Sequence, residues 1–417
     1  MSTDNANTQM STDIPASITH SQERILWMAL FTKGLNGRRG LPYLLVGEPS
    51  TAKTSTVSRL ARLAGLYFEP VLASLRQSQD FLGLPTPTDI QLRGKTIRIM
   101  DYAPSGFAVR AAIAERSVVL LDESNTAPPE IQAALLRVVL EGVVGELDMG
   151  PYVRMFLAMN DAKDAPGAWD ISNAMSNRMG WLTWRGVTPE QFAAYLATSG
   201  GDAPDIKPAV DPQQLEAAVD AKWPVAWARA SGAIGGFLRK HGSLLSKCPP
   251  NNAPAGPWPS PRSWDMATHA MAGASIFKLT DMERDEACAA FVGVAAWSEF
   301  TSWLIHADLP DALDIIEGRV AFEHVPARLD RTMAVFGSLV AAVLGADADR
   351  KAKYAEVVWD VLYDVGSKSS SALDLTVSST VVLARAGLLS RRAHRLLALV
   401  EPLTKHTGTT MANAAGL

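Results

Sequence analysis

Cysteine is scarce in this 417-residue sequence: Cys248 and Cys288 stand far apart and outside any CxxC spacing. That excludes a disulfide framework and a thiolate metal site, and it fits a reducing compartment. Charge of one sign is also lacking. Lys+Arg number 39 against Asp+Glu 43, a net charge of −4, without the basic excess of a dedicated nucleic-acid binder. No long uncharged apolar run is present, so no bilayer-spanning segment is expected, and the polar N-terminus does not resemble a signal sequence. The seven histidines show no HExxH or paired ligand spacing, and no Ser-His-Asp set, GxSxG elbow or von Willebrand A-type metal site is visible. Together these absences predict a cytoplasmic protein. What is present is ordinary globular material, 47% hydrophobic and 20% charged, which excludes wholesale disorder. The length suggests two or three domains.

Residues 1–17 are polar and aperiodic and read as a mobile leader. Helical spacing begins near Ile18 and runs to about Leu35. Short apolar runs then alternate with amphipathic helices as far as about Arg185, with candidate strands LPYLLV, LYFEPV, SVVLLD, VRMFLAM and GWLTW. Such alternation implies a parallel sheet covered on both faces. Two hairpin-like stretches interrupt it, IQLRGKTIRI with an Arg93-Gly94 turn and GVVGELDMGPYV around Gly145. From Thr188 onward helical patterns dominate, broken by the Pro- and Asn-rich loop of Cys248–Pro261. Further helices are expected near 262–279, 284–306, 328–345, 351–364 and 380–400. The expected division is a leader (1–17), an α/β nucleotide-binding domain (18–187), a helical lid (188–280) and a helical C-terminal extension (281–417).

The sharpest local signal is Gly47-Glu48-Pro49-Ser50-Thr51-Ala52-Lys53-Thr54, after a strand and opening a helix. It matches G-x-x-x-x-G-K-[ST] except for Ala52 in place of the second glycine. Backbone amides at a helix N-terminus would curl around phosphate oxygens, where the helix dipole favours negative charge. Lys53 would reach the β- and γ-phosphates, and the Thr54 hydroxyl would coordinate Mg²⁺. A methyl at position 52 is tolerable if that residue has right-handed helical dihedrals.

The run Ser117–Glu123 is an apolar strand ending in two acids. The strand beside a phosphate loop ends in an acid near the metal, so Asp122 is expected to hold Mg²⁺ directly or through water, and Glu123 to orient or deprotonate water. Three more polar residues have both a plain and a functional reading. Asn160 ends the strand Val153–Met159 and would hold the attacking water, or simply make a turn. Arg178 would direct its charge to a phosphate, or satisfy helix carbonyls. Arg262 begins a helix, where a cation opposes the dipole and an anionic partner would explain it.

At these residues the sequence resembles an AAA+ ATPase, and more specifically the MoxR family. GEPSTAKTS, ending at Ser55, is similar to that family's phosphate loop, and VVLLDESNTAPPEIQAALLRVVLEG to its Asp-Glu strand and following helix. MFLAMND resembles the sensor-one strand, which gives Asn160 that role. NAMSNRM sits where the family has its arginine-finger helix, pointing to Arg178, and SPRSW resembles the sensor-two segment, pointing to Arg262. FLGLPTPTD to YAPSGFAVRAAIAER resembles the family's insert between the second and third strands. The likeness runs from about residue 20 to 280. Ser50 in place of a glycine and the run NAMSN before Arg178 depart from the pattern. The tail after 280 matches only the looser pattern of MoxR proteins encoded beside von Willebrand A-domain proteins.

The resemblance implies a fold class of P-loop AAA+ α/β core, all-α lid and helical extension, with ATP and Mg²⁺ as cofactors. It implies a homo-oligomeric ring, usually a hexamer, in which Arg178 acts on the neighbour's γ-phosphate and Arg262 on its own nucleotide or across the interface. The expected activity is ATP hydrolysis coupled to remodelling of a protein client, a von Willebrand A-domain protein among the candidates, with no membrane partner. Two alternatives stay open: a low-turnover ATP-gated scaffold, favoured by Ser50 and the altered run before Arg178, and a nucleic-acid translocase, since the fold hosts those too.

Overall fold

A computed structural model describes residues 11–161, 169–199, 206–250 and 253–405. The first part of the chain runs α1 (Ser21–Phe31), β1 (Tyr43–Gly47), α2 (Lys53–Leu63), β2 (Tyr67–Leu72), α3 (Ser78–Leu82), β3 (Leu84–Leu92), β4 (Lys95–Ala103), α4 (Gly106–Ile113) and β5 (Ser117–Asp122). It continues with α5 (Pro129–Glu141), β6 (Val143–Val144), β7 (Leu147–Asp148), β8 (Val153–Asn160), α6 (Asn173–Ser176), β9 (Gly180–Thr183) and α7 (Pro189–Ser199). Helices follow: α8 (Pro212–Lys240), α9 (Pro261–Ile276), α10 (Asp281–Val292), α11 (Val294–His306), α12 (Ala312–Ile316), α13 (Leu329–Gly345), α14 (Ala348–Gly366), α15 (Ser370–Arg385) and α16 (Ala393–Lys405).

All five expected strands enter one sheet, in the order β2-β5-β8-β1-β9, and every pairing in it is parallel. The inner strands β1, β5 and β8 are buried on both faces, and Leu44, Val119, Leu121 and Leu157 belong to one core with Phe81, Phe107 and Leu135. This is why they read as continuous apolar runs and not as alternating ones. The fold class expected from the sequence, a parallel-sheet phosphate-loop core followed by helices, is the one the chain adopts. The two interruptions are hairpins. β3 pairs with β4 across Arg93-Gly94, both at positive φ (50° and 75°), as a two-residue primed turn requires. β6 pairs with β7 around Gly145.

Compactness divides the chain differently from the expected bounds. One unit comprises residues 1–219 and 247–294, the other 220–246 and 295–417. Residues 247–280, expected in a separate lid, therefore fold with the sheet, and so does the first turn and more of α8. Part of the expected leader is also fixed: Thr12 is buried and its hydroxyl donates to the Ile276 carbonyl at 2.9 Å, while residues 1–10 lie outside the described residues. In the second unit α13–α16 pack around Phe336, Leu339, Trp359, Leu362, Leu375 and Leu396. Two helices expected to be continuous are each broken at a glycine: Gly293 (φ 86°) separates α10 from α11, and Gly387 (φ 69°) separates α15 from α16.

The first unit contains a buried ion cluster. Arg154 on β8 is 1% exposed and pairs with Glu216 on α8, which also accepts from Arg116 Nε at 3.1 Å. Burial, opposed by Glu216, pushes the Arg154 guanidinium down to about 10. Removing the carboxylate would leave a buried cation uncompensated, so Glu216→Ala is expected to cost about 3–5 kcal/mol. In a thermal melt followed by tryptophan fluorescence, that is a fall of roughly 6–15 °C for a unit of this size.

Candidate functional site

The loop after β1 opens α2 with an N-terminus that no side chain caps. That leaves the first-turn amides available to an anion. Ser50 and Ala52 hold positive φ, 62° and 64°. The expectation that Ala52 sits at right-handed dihedrals is therefore wrong: φ 64° and ψ 22° are left-handed, the conformation for which glycine is the usual residue. Each such side-chain-bearing residue costs roughly 1–2 kcal/mol, which the surrounding contacts must hold in place. Trp184, just past β9, supplies part of that hold. Its backbone N–H donates to the Val46 carbonyl and its indole Nε1 donates to the Thr51 carbonyl at 2.9 Å. Thr51 Oγ1 donates to the Glu48 carbonyl, and Ser55 Oγ to that of Ala52. Glu48, Pro49 and Ser50 are exposed.

Lys53 is buried and curls back over the loop. Its Nζ donates to the carbonyls of Gly47 (3.0 Å) and Glu48 (2.8 Å) and to Asn160 Oδ1 (3.2 Å). Burial lowers its pKa and the Asp122 carboxylate opposes that shift. Thr54 Oγ1 donates to Asp122 Oδ2 at 2.5 Å. A hydroxyl and a carboxylate in contact, beside a buried lysine at a free helix N-terminus, form a donor set suited to a hard cation bound with phosphate. ATP and Mg²⁺ fit these residues: Thr54 and Asp122 would hold the metal, and Lys53 with the loop amides the phosphates.

Strand order corrects one detail. β5, whose end carries Asp122, is not the direct neighbour of β1; β8 lies between them. Gly47 pairs with Asn160 in register, so Asn160 is beside the loop and between it and the acids. Glu123 follows with φ 55°, a left-handed non-glycine residue of the kind that concentrates at functional sites. Its Oε2 accepts from Ser74 Oγ at 2.5 Å. Ser74, in the short turn after β2, had no sequence signal. Neither did Asn125, which is 3% exposed and donates through Nδ2 to the Asn160 carbonyl at 2.9 Å.

The cleft at the other side of the loop was also missed. About 260 Å³ in volume, it is lined by His20–Glu23 at the start of α1, Thr56 of α2, Trp184–Thr188 and Gln191. Gln22 extends the edge of β9 with its side chain, donating to the Thr183 carbonyl and accepting from the Arg185 N–H at 3.0 Å. A glutamine used in this way has no sequence signature.

Arg178 and Arg262 come together, but away from the loop. Arg178 precedes Gly180, which pairs with Tyr43 at the start of β1, whereas the loop leaves the other end at Gly47. The five-residue strand spans roughly 13 Å between those ends at about 3.3 Å per residue. Asn173 and Asn177, in the run that departs from the family pattern, pin the proline-rich loop: Asn173 Nδ2 donates to the Pro249 carbonyl and Asn177 Nδ2 to that of Trp258. Ser260, the N-cap of α9, donates to Asn177 Oδ1 at 2.7 Å. That docking brings Arg262, second residue of α9, near Arg178. Burial first and the Arg262 charge second lower the Arg178 pKa. Among the described residues Arg178 Nη1 donates to the Ala174 carbonyl alone, and its buried Nε has no partner. Among the described residues neither arginine is in an ion pair.

No protein-family profile matches the chain, and no curated protein does. Among solved structures it is similar to a "putative ATPase" from Cytophaga hutchinsonii, with 16% identity and a TM-score of 0.43 over 66% of this chain and 82% of that one.

Proposed function

We propose that the protein is an Mg²⁺-dependent ATPase of the AAA+ type, resembling the MoxR family, that works as a ring on a protein client in the cytoplasm. The observation that carries this reading is the chain of contacts at the C-terminal ends of β1, β8 and β5. Lys53 bonds Asn160, Thr54 bonds Asp122, and Glu123 follows Asp122 directly. Loop amides and Lys53 bind the β- and γ-phosphates, and Mg²⁺ on Thr54 and Asp122 supplies charge neutralisation when bound. Glu123 takes the proton from water and Asn160 holds that water in line. The cleft between His20–Glu23 and Trp184–Thr188 receives the base. Arg178 and Arg262, side by side and in no ion pair among the described residues, lie toward the end of the strands opposite the loop and serve the nucleotide of a neighbouring copy. That choice favours action across an interface over action on the same subunit's nucleotide. The ring is hexameric by resemblance, and a von Willebrand A-domain protein is the client that resemblance suggests.

The experiment is nucleotide binding and turnover by wild type and Lys53→Ala. Wild type is expected to hydrolyse ATP only with a divalent cation, and Lys53→Ala to weaken ATP binding roughly 10–100-fold through loss of a charge-assisted contact. Unchanged affinity and turnover in Lys53→Ala would remove the proposal. The Ser74–Glu123 contact supports a second reading, a low-turnover scaffold gated by ATP. Turnover that rises with protein concentration favours the machine; binding without turnover at every concentration favours the scaffold.

A further inference from the structure

The β5–β8 ladder ends at the pair Leu121 and Leu157, yet β8 runs on to Asn160. Beyond the last pair the chain after β5 turns away through the left-handed Glu123, and two bonds close the gap. The Ser124 N–H donates to the Ala158 carbonyl at 3.0 Å, and Asn125 Nδ2 donates to the Asn160 carbonyl at 2.9 Å. Ala158 and Asn160 are two residues apart, so their carbonyls face the same side of the strand. The Asn125 carboxamide thus stands in for a missing rung of the sheet. It clamps the peptide of Asn160 from the β5 side while Gly47 of β1 pairs from the other.

The orientation of that carboxamide is fixed by chemistry. The Asn160 carbonyl can only accept, so Nδ2 must face it; the flipped form would oppose two oxygens. Among the described residues Asn125 Oδ1 is then buried without a partner. An apolar side chain of similar size would fill the same space but could not donate to the Asn160 carbonyl. What the amide supplies is a donor at one point, the peptide of the residue whose Oδ1 meets Lys53.

We propose that Asn125 is a positioning residue for hydrolysis: it fixes the angle at which Asn160 and Glu123 face the same water. This rests on the ATPase reading above. Asn125 is not itself in contact with the phosphate loop. Its loss should leave the triphosphate bound and the water misplaced.

The test uses the full chain, with steady-state ATPase, direct binding of a slowly hydrolysed ATP analogue, and thermal melts on wild type, Asn125→Ala and Asn125→Asp. A small misplacement of reacting groups costs on the order of 100-fold, so Asn125→Ala should lower kcat about 10- to 100-fold. KM and analogue affinity should stay within about threefold, the mark of an interaction felt in the transition state alone. Asn125→Asp gives a signature that a packing role would not. Protonated, its carboxyl donates to the Asn160 carbonyl; ionised, it repels it. Activity of this variant, taken as a ratio to wild type at the same pH, should therefore be highest at low pH and fall as pH rises through the carboxyl pKa. Asn125→Ala with more than half of wild-type turnover would overturn the proposal. So would a loss matched by equal loss of analogue affinity and melting temperature, or an Asn125→Asp profile parallel to wild type. A wild type that hydrolyses no ATP overturns the ATPase reading and this inference with it; active wild type with unaffected Asn125→Ala overturns this inference alone.

Discussion

Glu123→Gln is expected to bind ATP as wild type does and to hydrolyse it at least roughly 100-fold more slowly, the low end of what a positioned general base contributes. The substitution is close to isosteric, and the glutamine oxygen can still accept from Ser74, so the contact seen at 2.5 Å need not change. What disappears is basicity. Ser74 holds Glu123 Oε2 alone, so the second carboxylate oxygen has no share in that contact and can still accept from water. The measurement is single-turnover hydrolysis at saturating Mg²⁺ with analogue affinity determined in parallel. Wild-type turnover in Glu123→Gln would remove the residue from its role and leave Asn160 without a partner for the water.

The second large effect concerns the arginine pair. Arg178→Ala should lower turnover about 10³-fold or more, the range for an arginine supplied across an interface, with little change in nucleotide affinity. Its position toward the end of β1 opposite the loop makes a sharper experiment available. Arg178→Ala subunits keep Glu123, and Glu123→Gln subunits keep Arg178, so each is inactive by itself. Mixed before assembly, they create interfaces in which an intact glutamate meets an intact arginine. Partial recovery of turnover is expected in the mixture. No recovery at any ratio, in mixtures shown to co-assemble, would refute action in trans. Arg262, beside Arg178 and without a hydrogen bond among the described residues, is part of the same arrangement.

The central sheet was legible because its inner strands are buried on both faces and therefore apolar throughout, as Val118–Leu121 shows. The two hairpins declared themselves through Arg93-Gly94 and Gly145. The phosphate loop, Asp122 and Asn160 could be placed because each follows a strand end, where backbone geometry ties position to sequence. Other features depend on contacts between distant segments. Ser74, Gln22 and Asn125 act through side-chain hydrogen bonds to partners 49, 161 and 35 residues away, and nothing in their neighbours signals it. The dihedral at Ala52 was misjudged because the first helical turn begins one residue later, at Lys53. The unit boundary near residue 294 was missed because α9 and α10 carry ordinary helical periodicity, which does not disclose the element against which a helix packs. Asn173 and Asn177 looked like departures from a pattern, and in the fold they secure the loop of Pro249 and Trp258.

The left-handed residues at positions 50 and 52 have a consequence for discrimination. With its dihedrals already set, the loop presents donors in fixed directions, and a visiting anion does not have to organise them. Such a surface reads only oxygens on phosphorus, which every nucleoside triphosphate shares, so it has no means of telling one from another. On the proposed reading, selectivity among purines and pyrimidines would fall to the groups that border the neighbouring cleft.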